Sequence, residues 1–399
     1  MKVLYVYQGD WPRNATRVLK QTRALAEAGH TVRLLSGNPR AEPRRSAEPW
    51  MEIERVPRLG PHALNRFLAF PVFANPFWLT WIFRAARRFR AESIIVRDLP
   101  LAPAALAVGR AMGIPVHYEM ADVYPVAMRA NRADHPGLVS RLTRHPGAAQ
   151  WLDALVIRQA ASVFVVSEES RQRCIALGAA ADAAVLVGNT PANLPSLVED
   201  GVMPADLADW AGRPLVLFVG NLLSDRGLIE AIDAMEQVRH AVPEAGLAII
   251  GDGREYSRLA AHIEARQLHN HARLLGWKGP ADHAAYYRQA AIGILPFLAT
   301  EHINITLANK LFDYMSAGLP IVATAVVPMR RVLEETEAGL LVPPGDTGAL
   351  ASAIVDLLRD PARRRALGAN GRAAVAGPYA WARDRERFLT AISRAGTSS

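Results

Sequence analysis

The sequence predicts an α/β protein with two doubly wound parallel-sheet domains. Short apolar runs alternate with segments of helical periodicity in both halves of the chain, which is typical of βα units. Between the two series, Asn189 to Pro214 is rich in proline and lacks periodicity, which indicates an interdomain linker. The length of 399 residues exceeds what one ordinary core holds and is ample for two.

The first series opens with a strand, a helix and a second strand. Gly29 follows the helix where a left-handed residue commonly ends one. The expected helix is Ala15–Ala28, and the expected strands are Val3–Tyr7, Thr31–Leu35, Ser93–Val96, Val116–Glu119, Ser162–Val166 and Ala184–Val187.

An apolar, aromatic segment, Phe67–Phe83, is interrupted by prolines and falls short of the roughly 20 residues that span a bilayer. Its continuation places Trp78, Ile82, Ala85 and Phe89 on one helical face and several arginines elsewhere. The pattern fits a core helix with a solvated back or a helix at a membrane interface. We favour the core helix, because the strand at Ser93 needs a packed crossover before it.

The second series contains the most informative stretch of the chain. Helix Asn309–Ser316 is expected between two apolar strands, with Gly318 and Pro320 as its stop signal. The expected strands are Leu215–Val219, Leu247–Ile250, Arg273–Leu275, Ile292–Phe297 and Ile321–Ala325, and a last helix is expected within Tyr379–Ile392.

This helix carries one lysine and one carboxylate in its opening turns. Ligands of such units lie outside the carboxyl ends of the strands, so Thr306, Asn309 and Lys310 should face one. Asp313, one turn further on, can accept a hydrogen bond from a sugar hydroxyl. The pattern therefore suits a phosphorylated nucleotide.

The segment NKLFDYMSAGLPIV, Asn309–Val322, closely resembles the NKLFEYMAAGLPVV segment of the retaining glycosyltransferases of family 4. The resemblance extends over nearly the whole chain. It implies the GT-B fold, with two Rossmann-like domains facing across a cleft. The acceptor-side domain would cover residues 1–190, joined by a C-terminal helix in 379–399, and the donor domain would cover 191–378.

Further segments match the family in order. FVGNLLSDRGLIEAI, from Phe218, resembles a turn in which two cations meet the donor diphosphate; Arg226 fills one position and Asn221 replaces the other cation. IIGDGRE, from Ile249, and LLGWKG, from Leu274, resemble loops that approach the nucleotide and read its base. PPGD, from Pro343, resembles a structural turn.

The N-terminal motifs depart more from the family. YQGDWPRNATRVLKQTRALAEAGHTV, from Tyr7, resembles its opening strand, loop and helix, and RDLPLAPAAL, from Arg97, resembles its HDLPL turn. In YEMADVYP, from Tyr118, Ala121 occupies the position of a histidine that normally contacts the donor sugar. Ile305 likewise stands where fuller versions of the helix motif have a glutamate.

The resemblance assigns roles to individual residues. Catalytic roles fall to Asp122, Arg226 and Lys310; donor contacts fall to Gly9, Asn221, Gly251, Gly253, Trp277, Thr306, Asn309 and Asp313; candidate phosphate or acceptor contacts are Arg13, Arg17 and Asp98.

The implied activity is transfer of a sugar from a nucleotide-diphosphate donor to a glycan or lipid-linked acceptor with retention of configuration. Bacterial surface polysaccharide or glycolipid synthesis would be its setting. No cofactor or metal is expected, since the sequence has no Asp-x-Asp and the His269/His271 pair lacks a nearby third ligand.

Composition agrees with this interpretation. The net charge of +8 favours anionic partners, although 42 of the 46 basic residues are arginine, which indicates a compositional bias. One cysteine, Cys174, excludes an internal disulfide framework, and Met1 to Tyr7 passes at once into a strand pattern, so we expect a cytoplasmic protein without a secretory leader. With a lipid-linked acceptor it would work at the inner face of the cytoplasmic membrane.

Two other classes of protein remain as alternatives. Ala121 and Asn221 keep open a catalytically silent homologue that binds nucleotide sugar or glycan. A nucleic-acid-binding protein is suggested by charge alone, without a recognised binding motif, so no nucleic-acid partner is expected. A dinucleotide dehydrogenase is disfavoured, because no G-x-G-x-x-G follows the first strand.

Overall fold

The computed structural model describes residues 1–9, 11–12, 15–57, 75–133, 146–192, 203–279 and 281–396. The chain divides into two compact units. One, the N-terminal unit, comprises Met1–Gly188 and Ala382–Ser399, and the other, the C-terminal unit, comprises Asn189–Trp381.

The sheet of the N-terminal unit has eight strands in the order β3-β4-β2-β1-β5-β6-β7-β8. All neighbours are parallel except the β3–β4 hairpin at one edge. The strands are β1 Lys2–Tyr7, β2 Thr31–Ser36, β3 Arg45–Glu48, β4 Met51–Arg55, β5 Ser93–Arg97, β6 Val116–Met120, β7 Ser162–Val165 and β8 Ala184–Leu186.

Helices cover both faces of this sheet, as parallel strands with apolar faces require. They are α1 Thr16–Glu27, α2 Pro76–Phe89, α3 Ala102–Met112, α4 Tyr124–Ala133, α5 Pro146–Gln159, α6 Glu168–Ala176 and, from the end of the chain, α14 Trp381–Gly396. The last helix packs on the sheet through Phe388, whose ring meets that of Phe164 edge-on with centroids 4.9 Å apart.

The sheet of the C-terminal unit has six parallel strands in the order β11-β10-β9-β12-β13-β14. This is the doubly wound dinucleotide-fold order, and its direction reverses between β9 and β12. The elements are β9 Leu215–Val219, α7 Leu228–Ala241, β10 Gly246–Ile250, α8 Tyr256–Ala265, β11 Ala272–Gly276, α9 His283–Gln289, β12 Ala290–Leu295, α10 Asn309–Ser316, β13 Ile321–Thr324, α11 Val327–Thr336, β14 Gly339–Val342, α12 Thr347–Arg359 and α13 Pro361–Ala376.

The predicted α/β class with two doubly wound parallel sheets is confirmed. The β3–β4 hairpin was not predicted, because its charged residues break the apolar alternation. The predicted linker is wrong in its second part: Ala205–Trp210 forms a 3₁₀ helix whose Leu207 and Trp210 are buried. Arg213 and Arg273 lie over the Trp210 ring at 4.6 and 4.5 Å, so this stretch belongs to the C-terminal unit.

Helix α2 is a core helix, as predicted. Asn75 caps it by accepting hydrogen bonds from the backbone N–H groups of Phe77 and Trp78. Its buried face is formed by Trp78, Ile82, Ala85, Ala86 and Phe89. Among the described residues, no helix has the length and hydropathy needed to cross a bilayer.

Candidate functional site

The loops after β9, β10 and β12 meet at the carboxyl edge of the C-terminal sheet, and glycines allow the contact. A Cβ on Gly251, at φ +150°, would lie 1.8 Å from the carbonyl oxygen of Gly220, and one on Gly227, at φ +64°, would lie 1.8 Å from that of Pro296. A hydrogen bond from Leu298 N to Asp225 O, 3.0 Å, also joins two of these loops. The edge is therefore a close-packed backbone platform.

Arg226 lies on this platform with its charge weakly compensated. Its guanidinium sits over the Phe297 ring at 4.7 Å, and its Nη1 is 3.7 Å from Asp225 Oδ1, too far for a hydrogen bond. Stacking on an aromatic face fixes the guanidinium while leaving its N–H edges available for an anion.

Lys310 and Asp313, predicted to contact phosphate and sugar, contact each other. Lys310 Nζ lies 2.6 Å from Asp313 Oδ2 and 3.4 Å from the Tyr287 hydroxyl. The pair is partly exposed, so its net stabilisation is small and a diphosphate can replace the carboxylate as partner of the ammonium group. Burial, followed by Asp313, raises the pKa of Tyr287, so this phenol stays neutral.

Helix α10 is held to the sheet by Tyr314, whose hydroxyl accepts from Val219 N at 2.9 Å and donates to Leu217 O at 3.4 Å. The residue before the helix is Ala308, so no side chain caps its N-terminus. Asn309 is exposed in the first helical position. The first amides of α10 and the positive end of its dipole are thus directed at the carboxyl edge of the C-terminal sheet.

The other predicted donor contacts lie on the same loops. Asn221 is exposed directly after Gly220, and Trp277, half exposed, follows β11 beyond Gly276 at φ +67°. Gly253 approaches Leu222, since a Cβ there would lie 2.2 Å from its carbonyl oxygen. Thr306 donates its hydroxyl to His302 O at 2.8 Å, which makes it a loop-stabilising residue in this state.

At the carboxyl edge of the N-terminal sheet, two carboxylates follow the strands. Asp98 follows β5, Asp122 is exposed after β6, and Gly9 follows β1 so closely that a Cβ would lie 2.2 Å from the Tyr7 ring. Asp98 keeps 35% of its side-chain exposure. Desolvation of the carboxylate by the surrounding protein raises its pKa to about 6; Arg97 opposes this shift and Asp122 adds to it.

Arg17 is one of the predicted phosphate or acceptor contacts. It is buried in the N-terminal unit, where its Nε donates to Glu119 at 2.6 Å and its Nη1 to the carbonyl oxygens of Val187 and Gly188 at 2.9 and 3.1 Å. Gln21 donates to the other oxygen of Glu119, 2.5 Å away. This placement favours a structural role for Arg17 over the predicted ligand contact. Arg13 lies outside the described residues.

Sequence reasoning missed Phe297, Tyr287, Tyr314 and Arg97. The aromatic residues are buried core positions, and only the structure shows that they also contact Arg226, Lys310 and β9. Arg97 could have been identified from the sequence, since a charge at the end of an apolar strand indicates the carboxyl edge of the sheet, where ligands bind. Among the described residues, no group of three His, Cys, Asp or Glu side chains is placed to hold a metal ion.

The fold defines a class: α/β proteins with two doubly wound parallel-sheet units, here with Arg226 and Lys310 near the switch point of the second sheet. Comparisons with known proteins narrow it. The family described as "Glycosyl transferases group 1" matches residues 213–360, and the "Glycosyl transferase 4-like domain" matches residues 15–190. The chain therefore belongs to the family 4 glycosyltransferases and has their GT-B fold.

Individual proteins are similar to part or all of this chain. Phosphatidyl-myo-inositol mannosyltransferase of Mycobacterium leprae is 34% identical over 184 residues, 46% of this chain and 47% of that protein, so the match spans about half of its length. Sucrose-phosphate synthase from Thermosynechococcus elongatus superposes over 100% of both chains with TM-score 0.76 and 19% identity. HepE from Anabaena, solved with UDP and glucose, covers 99% of this chain and 100% of its own, with TM-score 0.71 and 15% identity.

Proposed function

We propose that this glycosyltransferase moves a sugar from a nucleoside-diphosphate donor to a hydroxyl of a glycan or lipid-linked acceptor, with retention of configuration. The setting we propose is bacterial surface polysaccharide or glycolipid synthesis. The observation that carries the proposal is the pair of cations at the switch point of the C-terminal sheet: Arg226 lies in the turn after β9, and Lys310 lies at the start of α10, the helix after β12. A diphosphate is the ligand that such a site recognises.

The two cations would assist departure of the nucleoside diphosphate. Negative charge grows on the diphosphate as the sugar leaves, and Arg226, Lys310 and the first amides of α10 would stabilise it. Arg226 is already held on Phe297, whereas Lys310 would exchange Asp313 for phosphate. Asp313 would then be available to accept from a sugar hydroxyl. Retention follows from the family resemblance, with a donor phosphate oxygen receiving the acceptor proton.

Calorimetric titration with UDP, GDP and dTDP, without and with EDTA, tests the donor site. Removing Lys310 or Arg226 by alanine substitution should weaken the preferred nucleotide roughly ten- to a hundredfold, because one charge-assisted contact is worth about 1.5 to 3 kcal/mol. EDTA should change neither binding nor turnover, since the cations neutralise the diphosphate without a metal. Arg365→Ala, an exposed position on α13, is the matched control.

Two results would contradict the donor assignment: unchanged affinity in both variants, or a strict requirement for Mg²⁺ or Mn²⁺. Turnover distinguishes an active glycosyltransferase from a catalytically silent homologue. Tight nucleotide binding without slow hydrolysis of any UDP-, GDP- or dTDP-sugar would favour it, and Asn221 in place of a cation would be its cause.

A lipid-linked acceptor would bring the protein to the anionic inner face of the cytoplasmic membrane. The solvent side of α2 supports this: Leu79 and Phe83 are each 38% exposed beside Arg84 and Arg87. They line a groove of about 890 Å³ between α2 and α3. Trp78 takes no part, because it is buried in the core.

Sedimentation with liposomes tests this surface. Binding should rise with anionic lipid, fall with salt, and drop when Arg84, Arg87 and Arg90 become glutamine, since each arginine near the surface contributes about 1 kcal/mol. Arg88 is kept, because it pairs with the buried Glu54 at 2.9 Å. The control replaces Arg363, Arg365 and Arg372 of α13. Binding indifferent to lipid charge would leave a soluble acceptor as the better account.

A further inference from the structure

Tyr287 of α9 lies against the Lys310–Asp313 pair of α10, and it has no part in the donor site proposed above. The residue is 7% exposed, and its ring meets that of Tyr314 edge-on with centroids 5.8 Å apart. Tyr314 is in turn bonded to the backbone of β9. The Tyr287 hydroxyl is therefore held at a fixed place beside the ion pair.

This hydroxyl interacts with both members of the pair. It accepts from Lys310 Nζ at 3.4 Å, which leaves its own proton available for a carboxylate. Burial raises the pKa of Tyr287 most, and the charge of Asp313 and hydrogen bonding to its carboxylate raise it further. The phenol thus keeps its proton at neutral pH and can donate to Asp313.

His283, one turn before Tyr287 on α9, cannot take over the role of Lys310. The two rings on α9 are 6.0 Å apart between centroids. Burial, followed by the charge of Lys310, lowers the pKa of His283, so its imidazole is neutral at pH 7. His283 therefore offers Asp313 no positive charge if the ammonium group of Lys310 moves away.

The exchange of partners at Lys310 gives the phenol its importance. Lys310 Nζ lies 2.6 Å from Asp313 Oδ2, and each of the two side chains is 23% exposed. When a diphosphate draws the ammonium group away, the carboxylate loses this partner in a partly buried place, which costs free energy unless another donor stays. Tyr287 is that donor, so its hydroxyl stabilises the nucleotide-bound state more than the free state.

We propose that Tyr287 is a positioning residue of the donor site: its hydroxyl holds the Asp313 carboxylate in place while Lys310 moves to the diphosphate. Tyr287 acts through Asp313 and does not touch the donor itself. The carboxylate then meets a sugar hydroxyl with one of its hydrogen bonds already made. This inference rests on the proposed function and adds a residue to its donor site.

A double-mutant cycle on the full chain tests the proposal, with calorimetric titration of whichever of UDP, GDP and dTDP binds most tightly. Tyr287→Phe should weaken the nucleotide about tenfold, because a hydrogen bond to a charged group is lost chiefly from the bound state. In an Asp313→Ala background the same substitution should change the affinity by less than about twofold, since no carboxylate remains to be held. Phenylalanine keeps the ring that packs on Tyr314, and thermal unfolding checks the fold of each variant.

Tyr286→Phe is the matched control. Tyr286 is the preceding residue of the same helix and is 4% exposed, and its hydroxyl donates to the carboxylate of Asp206 at 2.9 and 3.0 Å. The control thus removes the same kind of hydrogen bond from a carboxylate other than Asp313. It should leave nucleotide affinity unchanged.

Three outcomes would overturn the inference: unchanged affinity in Tyr287→Phe, an equal loss with and without Asp313, or an equal loss in Tyr286→Phe. The second is the result that a merely structural role of Tyr287 would give. Titration of Lys310→Ala on the same day keeps the two proposals apart. If that variant loses affinity and Tyr287→Phe does not, this inference alone fails, whereas a wild type that binds none of the three nucleotides would sink the donor assignment.

Discussion

The carboxyl edges of the two sheets are built in different ways. The C-terminal edge rests on backbone: Gly227 and Gly251 let loops touch, and its cations lie on top, partly exposed. The N-terminal edge rests on buried charge, with Glu119 fully buried and bonded by Arg17 and Gln21. Because both edges lie on doubly wound parallel sheets, the difference shows that the same scaffold can be stabilised at its carboxyl edge either by close backbone contacts or by a buried ion network.

The largest effect is expected from breaking the buried charge network. Glu119→Ala leaves Arg17 and Gln21 without their partner in the protein interior, so it should lower the free energy of unfolding by about 3 to 5 kcal/mol. Urea unfolding measures the loss, and hydrogen exchange should place it in α1 and β6. Glu52→Ala, which removes an exposed partner of Arg33, should cost less than about 1 kcal/mol. Equal losses would show that the buried network contributes no more than an exposed ion pair does.

The second-largest loss of stability is expected when a Cβ crowds the backbone platform at the C-terminal edge. Gly251→Ala places a Cβ against the Gly220 carbonyl at an unfavourable φ, and the strain and crowding together should cost about 2 to 4 kcal/mol. Gly345→Ala is the control: it has φ +80° but open space, so only the conformational cost of about 1 to 2 kcal/mol remains. Thermal unfolding compares them, and nucleotide affinity should fall only in Gly251→Ala. A tolerated alanine at Gly251 would show that the loops are not close-packed.

Acid should destabilise the N-terminal unit through one buried histidine. His117, buried on β6 against Phe164, has its pKa lowered by burial from 6.5 to about 4. The unfolded chain binds a proton at His117 below about pH 6.5, whereas the folded chain does not bind it until about pH 4. The free energy of unfolding therefore has its full value above pH 6.5 and decreases as the pH falls below it. The loss by pH 5 should be about 2 kcal/mol.

Urea unfolding at pH 7.5 and 5, followed by hydrogen exchange in each unit, measures the acid effect. His117→Leu should remove most of the decline in the N-terminal unit, whereas His240→Leu, an exposed control, should leave it unchanged. An identical decline in the His117 variant would show that other groups cause it.

How far the sequence predicts this molecule depends on the range of the interactions. Helix Asn309–Ser316 has the predicted bounds because its apolar spacing and stop signals are local. The Lys310–Asp313 ion pair could also have been read from the sequence, since residues three apart on a helix are neighbours. Arg17 could not, because its partner Glu119 lies 102 residues away and one strand arrangement alone brings them together.

The candidate sites show the same limit. Glycines at Gly227 and Gly251 were visible as turn residues, but the carbonyl groups that exclude a Cβ come from other loops. Arg97 and Asp98 are adjacent in sequence, but their position at the switch point comes from the reversal of strand order beside β1, which depends on the whole sheet. The 3₁₀ helix at Ala205–Trp210 was missed because six residues are too few to show a helical periodicity.

The attachment of α10 has a consequence for the rate of donor capture. Because Tyr314 bonds the helix to the backbone of β9, the helix and its N-terminal amides stay in place while a ligand arrives. The motion left to make is a rotation of the Lys310 side chain away from Asp313, and rotamer changes of partly exposed side chains take picoseconds to nanoseconds. At this edge, association with nucleotide should therefore be limited by diffusion and orientation, with no slow rearrangement of the helix before it.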